Sequence, residues 1–130
     1  MEYRDTGSVK LRLATALRKA MHNNKLIEQT NKEKGIEDVS LISSMRQLEA
    51  ASGLSFTMIQ TIYTAKRDPH FTSVITILEA LEISFPEFAV LYNGITNTEI
   101  EETKKAIEAG KKKVARKQGV RSNRKGGASS

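Results

Sequence analysis

The chain of 130 residues carries 38% hydrophobic and 28% charged side chains, no Cys and no Trp, and a formal net charge of +6. That length holds one modest core with extensions, and no apolar run approaches the roughly 20 residues needed to span a bilayer. The missing Cys excludes disulfide staples and thiolate-ligated metal, and the opening MEYRDTGSVK has no apolar segment behind its charges, so a cytoplasmic protein without a secretory signal is expected.

Residues 1–8 are expected to form a flexible N-terminus. Residues 9–22, VKLRLATALRKAMH, then place Val9, Leu13, Leu17 and Met21 four apart, with Ala14 and Ala20 beside that stripe. Arg12, Arg18 and Lys19 lie off it, which predicts an amphipathic helix. Helical composition continues through 24–34 to Gly35, a C-terminal stop; one helix or two both fit 9–34. The segment IEDVSLI, 36–42, has no clear pattern. From Ser44 the punctuation sharpens. Ser44 with Gln47 fits a capping box opening a helix that ends at Gly53. Ser55 caps a second helix with Ile59, Ile62 and Tyr63 on one face. In the loop TAKRDPHF, Pro69 disfavours helix at Asp68, and Thr72 or Ser73 is the expected cap of a third helix bearing Val74, Ile77, Leu78 and Leu81. Ser84 with Glu87 opens a short helix with Phe88, Leu91 and Tyr92. Thr98 with Glu101 opens a last one, over about 98–113. No strand pattern competes. The prediction is an all-α helical domain over 9–110 and a basic tail over 111–130, too polar after Val114 to offset chain entropy and so disordered.

Within this frame Leu48, Gly53, Leu54, Ser55, Ile59, Pro69, Ala80, Leu81, Ile83 and Ser84 fall at one characteristic set of spacings. The stretch 44–88 thereby resembles the helix-turn-helix domains of the phage Cro and repressor type, the Xre family, over about 45 residues. The resemblance implies a small bundle of the lambda-repressor-like helix-turn-helix type, here with an N-terminal helical extension. Two helices joined by a tight turn at a steep angle let the second project its first turn into the DNA major groove, where base edges differ. The resemblance makes that recognition helix run from about Phe56 to Thr64 and gives base reading to Phe56, Thr57, Gln60 and Thr61. Gln60 suits adenine, and the Thr side chains or Phe56 suit a thymine methyl. It gives phosphate contacts to Ser44 and Met45 before the turn and to Thr64, Lys66 and Arg67 after the recognition helix. The chain departs from the family at Glu49, where a small Ala is usual, at Ala65, where Gly is usual, and at Met45 and Met58, often polar. Residues 36–43 look like an insertion.

Charge is distributed unevenly. Residues 111–130 hold eight Lys or Arg and no acid, which leaves 13 basic and 15 acidic residues in 1–110. A milder positive zone covers 1–34, with eight basic and four acidic residues. Residues 43–92 contain only Arg46, Lys66 and Arg67 against five acids. DNA affinity comes largely from phosphate neutralisation, so the expected source is the tail: Lys111, Lys112, Lys113, Arg116 and Lys117, with Arg121, Arg124 and Lys125 beyond. The helix-turn-helix specifies and the tail adds affinity.

The function expected is sequence-specific binding of double-stranded DNA by a small transcriptional regulator of a bacterial or phage-like nucleoid. Reading two half-sites needs a two-fold protein, so a homodimer is expected; the α-helical stripe from Val9 to Met21 is core packing or that dimer's seam. Alternatives are an adaptor or antitoxin-like domain that docks a protein, and a non-specific nucleic-acid binder acting through the tail. No Cys nucleophile, phosphate-cradling Gly loop or carboxylate–histidine cluster points to an enzyme. Glu99, Glu101, Glu102 and Glu108 read as a solvated helix with acids in its first turn. His22 and His70 lack ligand spacing, so no metal, cofactor, small-molecule substrate or membrane partner is expected.

Overall fold

Between Thr6 and Glu33 the sequence holds no Pro and a single Gly in the first turn, so nothing interrupts a helix. The computed structural model, which describes residues 6–37 and 41–111, has one continuous helix of 28 residues there, α1 (Thr6–Glu33). One helix rather than two spans this region, and it starts inside the segment 1–8 expected to be flexible. Residues 1–5 lie outside the described residues. Gly35 ends α1 with a left-handed φ of 73°. Ile36 N–H donates to Asn31 O at 2.8 Å and Gly35 N–H to Lys32 O at 3.2 Å, the paired closure that satisfies the last free carbonyls.

The expected stripe along α1 is only partly interior. Leu17 is fully buried, and Leu13 and Met21 pack at the edge of the core, but Val9 remains 41% exposed. The buried face is centred instead on Ala14, Ala16, Leu17 and Ala20. Beyond Asn24 the helix is exposed along most of its length.

The remaining helices are α2 (Met45–Ser52), α3 (Phe56–Tyr63), α4 (Phe71–Ala80), α5 (Phe85–Asn93) and α6 (97–111), and no strand occurs among the described residues. α1 packs on α3 and α5, α2 on α3 and α4, and α4 touches α5. Leu17, Leu48, Ile59, Ile62, Tyr63 and Ile77 are the largest fully buried side chains of the shared core. At about 1.5–3 kcal/mol per buried large apolar side chain, this cluster outweighs any polar contact holding α3 against α1 and α2.

Local chemistry fixes the short helices. Ser84 Oγ accepts from Glu87 N–H at 3.2 Å and the Glu87 carboxylate accepts from Ser84 N–H at 3.2 Å, a complete capping box opening α5. Two other caps differ from expectation. α4 starts directly after the Pro69 loop with His70 as its N-cap and no side-chain bond, so Thr72 and Ser73 fall inside its first turn. Ser73 is buried there, its hydroxyl 3.9 Å from the Met58 sulfur. α6 is capped two residues early, by Thr96 and Glu99 in place of Thr98 and Glu101. Thr96 Oγ1 accepts from Glu99 N–H at 3.2 Å, and Glu99 Oε1 accepts from Thr96 N–H at 2.9 Å. Both pairs have the same spacing; the second carboxylate oxygen of Glu99 also accepts from Lys19 Nζ on α1 at 2.6 Å, and that tertiary contact favours the earlier register. Of the basic tail expected over 111–130, Lys111 is the last residue of α6, and 112–130 lie outside the described residues. No helix among the described residues is long and apolar enough to cross a membrane.

Candidate nucleic-acid interface

The stretch from Ser44 to Arg67 folds as helix, three-residue turn, helix and loop, and each junction has a specific chemical cause. Ser44 Oγ accepts from Gln47 N–H at 3.2 Å, while Gln47 Oε1 reaches back to Ser43 N–H at 2.8 Å, one residue short of a strict capping box. Gly53 takes a left-handed φ of 75°, and its N–H donates to Glu49 O at 3.1 Å, closing α2. Ser52 Oγ then accepts from Leu54 N–H at 3.1 Å inside the turn. Ser55 Oγ accepts from Met58 N–H at 3.1 Å and opens α3.

Glu49 has a defined structural task. One carboxylate oxygen accepts from Phe56 N–H at 3.1 Å, bridging α2 to the first turn of α3. The other lies 3.4 Å from Arg46 Nη1, and the Arg46 guanidinium sits 3.9 Å above the centre of the Phe56 ring. An anion at a helix N-terminus offsets the partial positive charge of its free N–H groups. Glu49 thus braces the two helices across their turn while its side chain keeps partial contact with solvent.

Of the four residues expected to read bases, Thr57 and Gln60 are exposed on α3. Phe56 is half-buried under Arg46, and Thr61 is half-buried with its hydroxyl donating to Met58 O at 2.8 Å. Met58, on the same helix, packs against the core. Of the expected phosphate contacts, Ser44 is exposed, whereas the Met45 side chain packs on the core, leaving its backbone N–H for that role. Thr64 caps α3, its hydroxyl donating to Gln60 O at 2.7 Å. Ala65 adopts a left-handed conformation that favours glycine, with φ of 57°. Lys66 N–H closes on Thr61 O at 2.9 Å and Arg67 N–H on the same oxygen at 3.3 Å, so both exposed cations emerge directly after α3. Lys111 ends α6 with its ammonium 3.6 Å from Glu108. Lys112, Lys113, Arg116 and Lys117 lie outside the described residues.

Two features escape a linear reading. Arg46 belongs to the same face as Phe56, ten residues away, because the turn folds α2 back over the start of α3. Part of the positive zone of α1 is engaged within the protein. Arg12 donates to Tyr92 O at 3.1 Å and Asn93 O at 3.2 Å at the end of α5, and Arg18 Nε donates to Tyr63 O at 2.8 Å at the end of α3. Cations at helix C-termini satisfy free carbonyls and the dipole. Burial lowers the Arg18 pKa, opposed by the Tyr63 phenol, and burial raises the Tyr63 pKa, so the phenol stays protonated at neutral pH. Among the described residues no group of three His, Cys, Asp or Glu is arranged to hold a metal ion.

Against known proteins, a scan of family models gave no match, and neither did searches of curated proteins and of solved structures.

Proposed function

We propose that the protein is a sequence-specific reader of double-stranded DNA with an Xre-type helix-turn-helix fold, acting as a small transcriptional regulator and as a homodimer on paired half-sites. The observation that carries this reading is α3 itself. It is short, capped by Ser55 and braced by Glu49, and it presents Thr57 and Gln60 to solvent between an N-terminal Arg46 and the following Lys66 and Arg67. A rigid helix with amide and hydroxyl groups outward and cations at both ends suits base reading flanked by phosphate contacts. The tail from Lys111 onward supplies further phosphate neutralisation.

The test is selection from a random duplex pool at moderate salt, with the full chain beside its Thr57→Ala/Gln60→Ala variant. The reading expects one enriched motif for the full chain, palindromic for a dimer, and loss of that motif with retained non-specific binding for the variant. Recovery of the same motif by both proteins would remove α3 from base recognition.

A protein-docking role is favoured by a different observation. Phe71 is 67% exposed and its ring lies 5.7 Å from that of half-exposed Phe85, an apolar pair on the side of α4 and α5. No motif enriched by either chain would move the assignment to that surface.

A further inference from the structure

The function proposed above needs Arg46 only as a cation beside α3, yet its guanidinium is held more closely than that use requires. It lies 3.9 Å above the centre of the Phe56 ring, and its Nη1 donates to Glu49 Oε1 at 3.4 Å. Glu49 Oε2 accepts from Phe56 N–H at 3.1 Å, so the three residues close a ring of contacts across the turn. We infer that Arg46 reads a guanine, a role that rests on that function: its guanidinium, lying on Phe56 and oriented by Glu49, donates to N7 and O6 of the base in the major groove, next to the base met by Gln60.

Position, charge and geometry favour a base edge over a phosphate. Phe56 is the first residue of α3 and lies four residues before Gln60, so the two share one face of that helix. A first turn that brings Gln60 to base edges carries Phe56, and the guanidinium resting on it, into the same groove. One helical turn is about 5.4 Å and one base-pair step about 3.4 Å, so the bases met by Gln60 and Arg46 are neighbours or next neighbours. Glu49 offsets the charge of Arg46 at 3.4 Å, which weakens its pull on a phosphate but leaves its donors in place. The Glu49 contact is the only hydrogen bond of this side chain among the described residues; the side chain is 74% exposed, and a guanidinium has further N–H groups to offer. The ring and the carboxylate also restrict the long Arg side chain, so less freedom is lost when paired bonds form. Guanine is the base whose major-groove edge presents N7 and O6 together as acceptors, whereas adenine places an amino donor beside N7.

The test is selection from a random duplex pool with the full chain and its Arg46→Ala variant, followed by titration of the enriched duplex. The variant should lose one guanine from the wild-type motif and keep the other positions. Changing that G·C pair to A·T should weaken wild type by about fivefold to 150-fold and leave the variant unaffected. An identical motif for both proteins, with the variant uniformly weaker and its logarithmic salt slope lower by about 0.9, makes Arg46 a phosphate contact and overturns the inference while the DNA reading stands. Loss of Arg46 also uncovers Glu49 and Phe56, so a second measurement uses wild type alone. A deazaguanine that lacks only the N7 acceptor replaces each guanine of the enriched site in turn. Weakening by about fivefold or more at one guanine is expected, and no weakening at any of them overturns the inference whatever the variant does. A wild type that enriches no motif overturns the DNA reading and the guanine contact together.

Discussion

Two left-handed turns flank α3, one built with glycine and one without, and exchanging their residue types should shift stability in opposite directions. Ala65 holds φ at 57°, a conformation that costs a residue with a Cβ about 1–2 kcal/mol. Ala65→Gly relieves that strain but adds about 0.5–1 kcal/mol of unfolded-state entropy, leaving a net gain of about 0.5–1 kcal/mol. Gly53 holds φ at 75°, and a Cβ built there meets nothing within 4 Å. Gly53→Ala therefore incurs backbone strain without collision, a net loss of about 0.5–1 kcal/mol by the same reasoning. For a domain of this size that corresponds to about 2–6 °C in Tm, upward for Ala65→Gly and downward for Gly53→Ala. Thermal and urea unfolding followed by far-UV circular dichroism would measure both, with an unchanged m value showing that the surface exposed on unfolding is the same. A lowered midpoint for Ala65→Gly would refute the argument, because it would mean that the methyl group contributes more than the turn geometry costs.

Three further outcomes follow from the same geometry. Glu49→Ala removes the acceptor of Phe56 N–H and should lower stability by about 1 kcal/mol, as loss of a helix cap does; an unchanged urea midpoint would show that solvent serves α3 equally well. Lys19, and then the Thr96 N–H, hold the Glu99 carboxyl below its ordinary pKa of 4.5. Because the folded value is the lower one, this stabilisation is complete above about pH 4.5 and is lost as the pH falls through the depressed value. Glu99→Gln should accordingly flatten the acid limb of stability against pH, and superimposable limbs would remove the Lys19 ion pair from the account. For DNA binding, a chain ending at Gly110 should show a shallower salt dependence, by about 0.9 in the logarithmic slope for each phosphate that the tail neutralises, whereas an unaltered slope would assign no phosphate to the tail.

Local chemistry was legible in the sequence where one residue decides the outcome. Ser44, Ser55 and the Ser84–Glu87 pair cap their helices as their spacing predicts, and Gly35 and Gly53 end theirs. The start of α6 was not decidable this way, because Thr96–Glu99 and Thr98–Glu101 offer the same local bonds and only Lys19, 80 residues earlier than Glu99, separates them. The continuity of α1 was equally non-local. Asn23 and Asn24 allow a break, but the Asn24 side chain donates to Ile42 O at 2.8 Å in a buried site, which holds the chain after α1 against the middle of that helix. At the candidate interface the exposure of Thr57 and Gln60 followed from helical register, whereas the cover that Arg46 places over Phe56 depended on the angle of the turn.

The same distinction changes how the charge of this protein should be read. A count over residues 1–34 gives a surplus of cations, yet Arg12 and Arg18 complete the carboxyl ends of α5 and α3, and Lys19 secures α6. These are short-range bonds to fixed dipoles and to one carboxylate, and a phosphate that drew those cations away would break the bonds that hold α1 to its neighbours. Lys25, Lys66 and Arg67 are exposed cations whose use by a ligand would require no such disruption. Under the proposed function, substitution at Arg12 should therefore change stability more than salt dependence, and substitution at Lys66 or Arg67 should do the reverse. The electrostatic contribution to DNA affinity then follows the cations left available by folding and not the formal net charge, because helix C-termini and phosphates compete for the same donors.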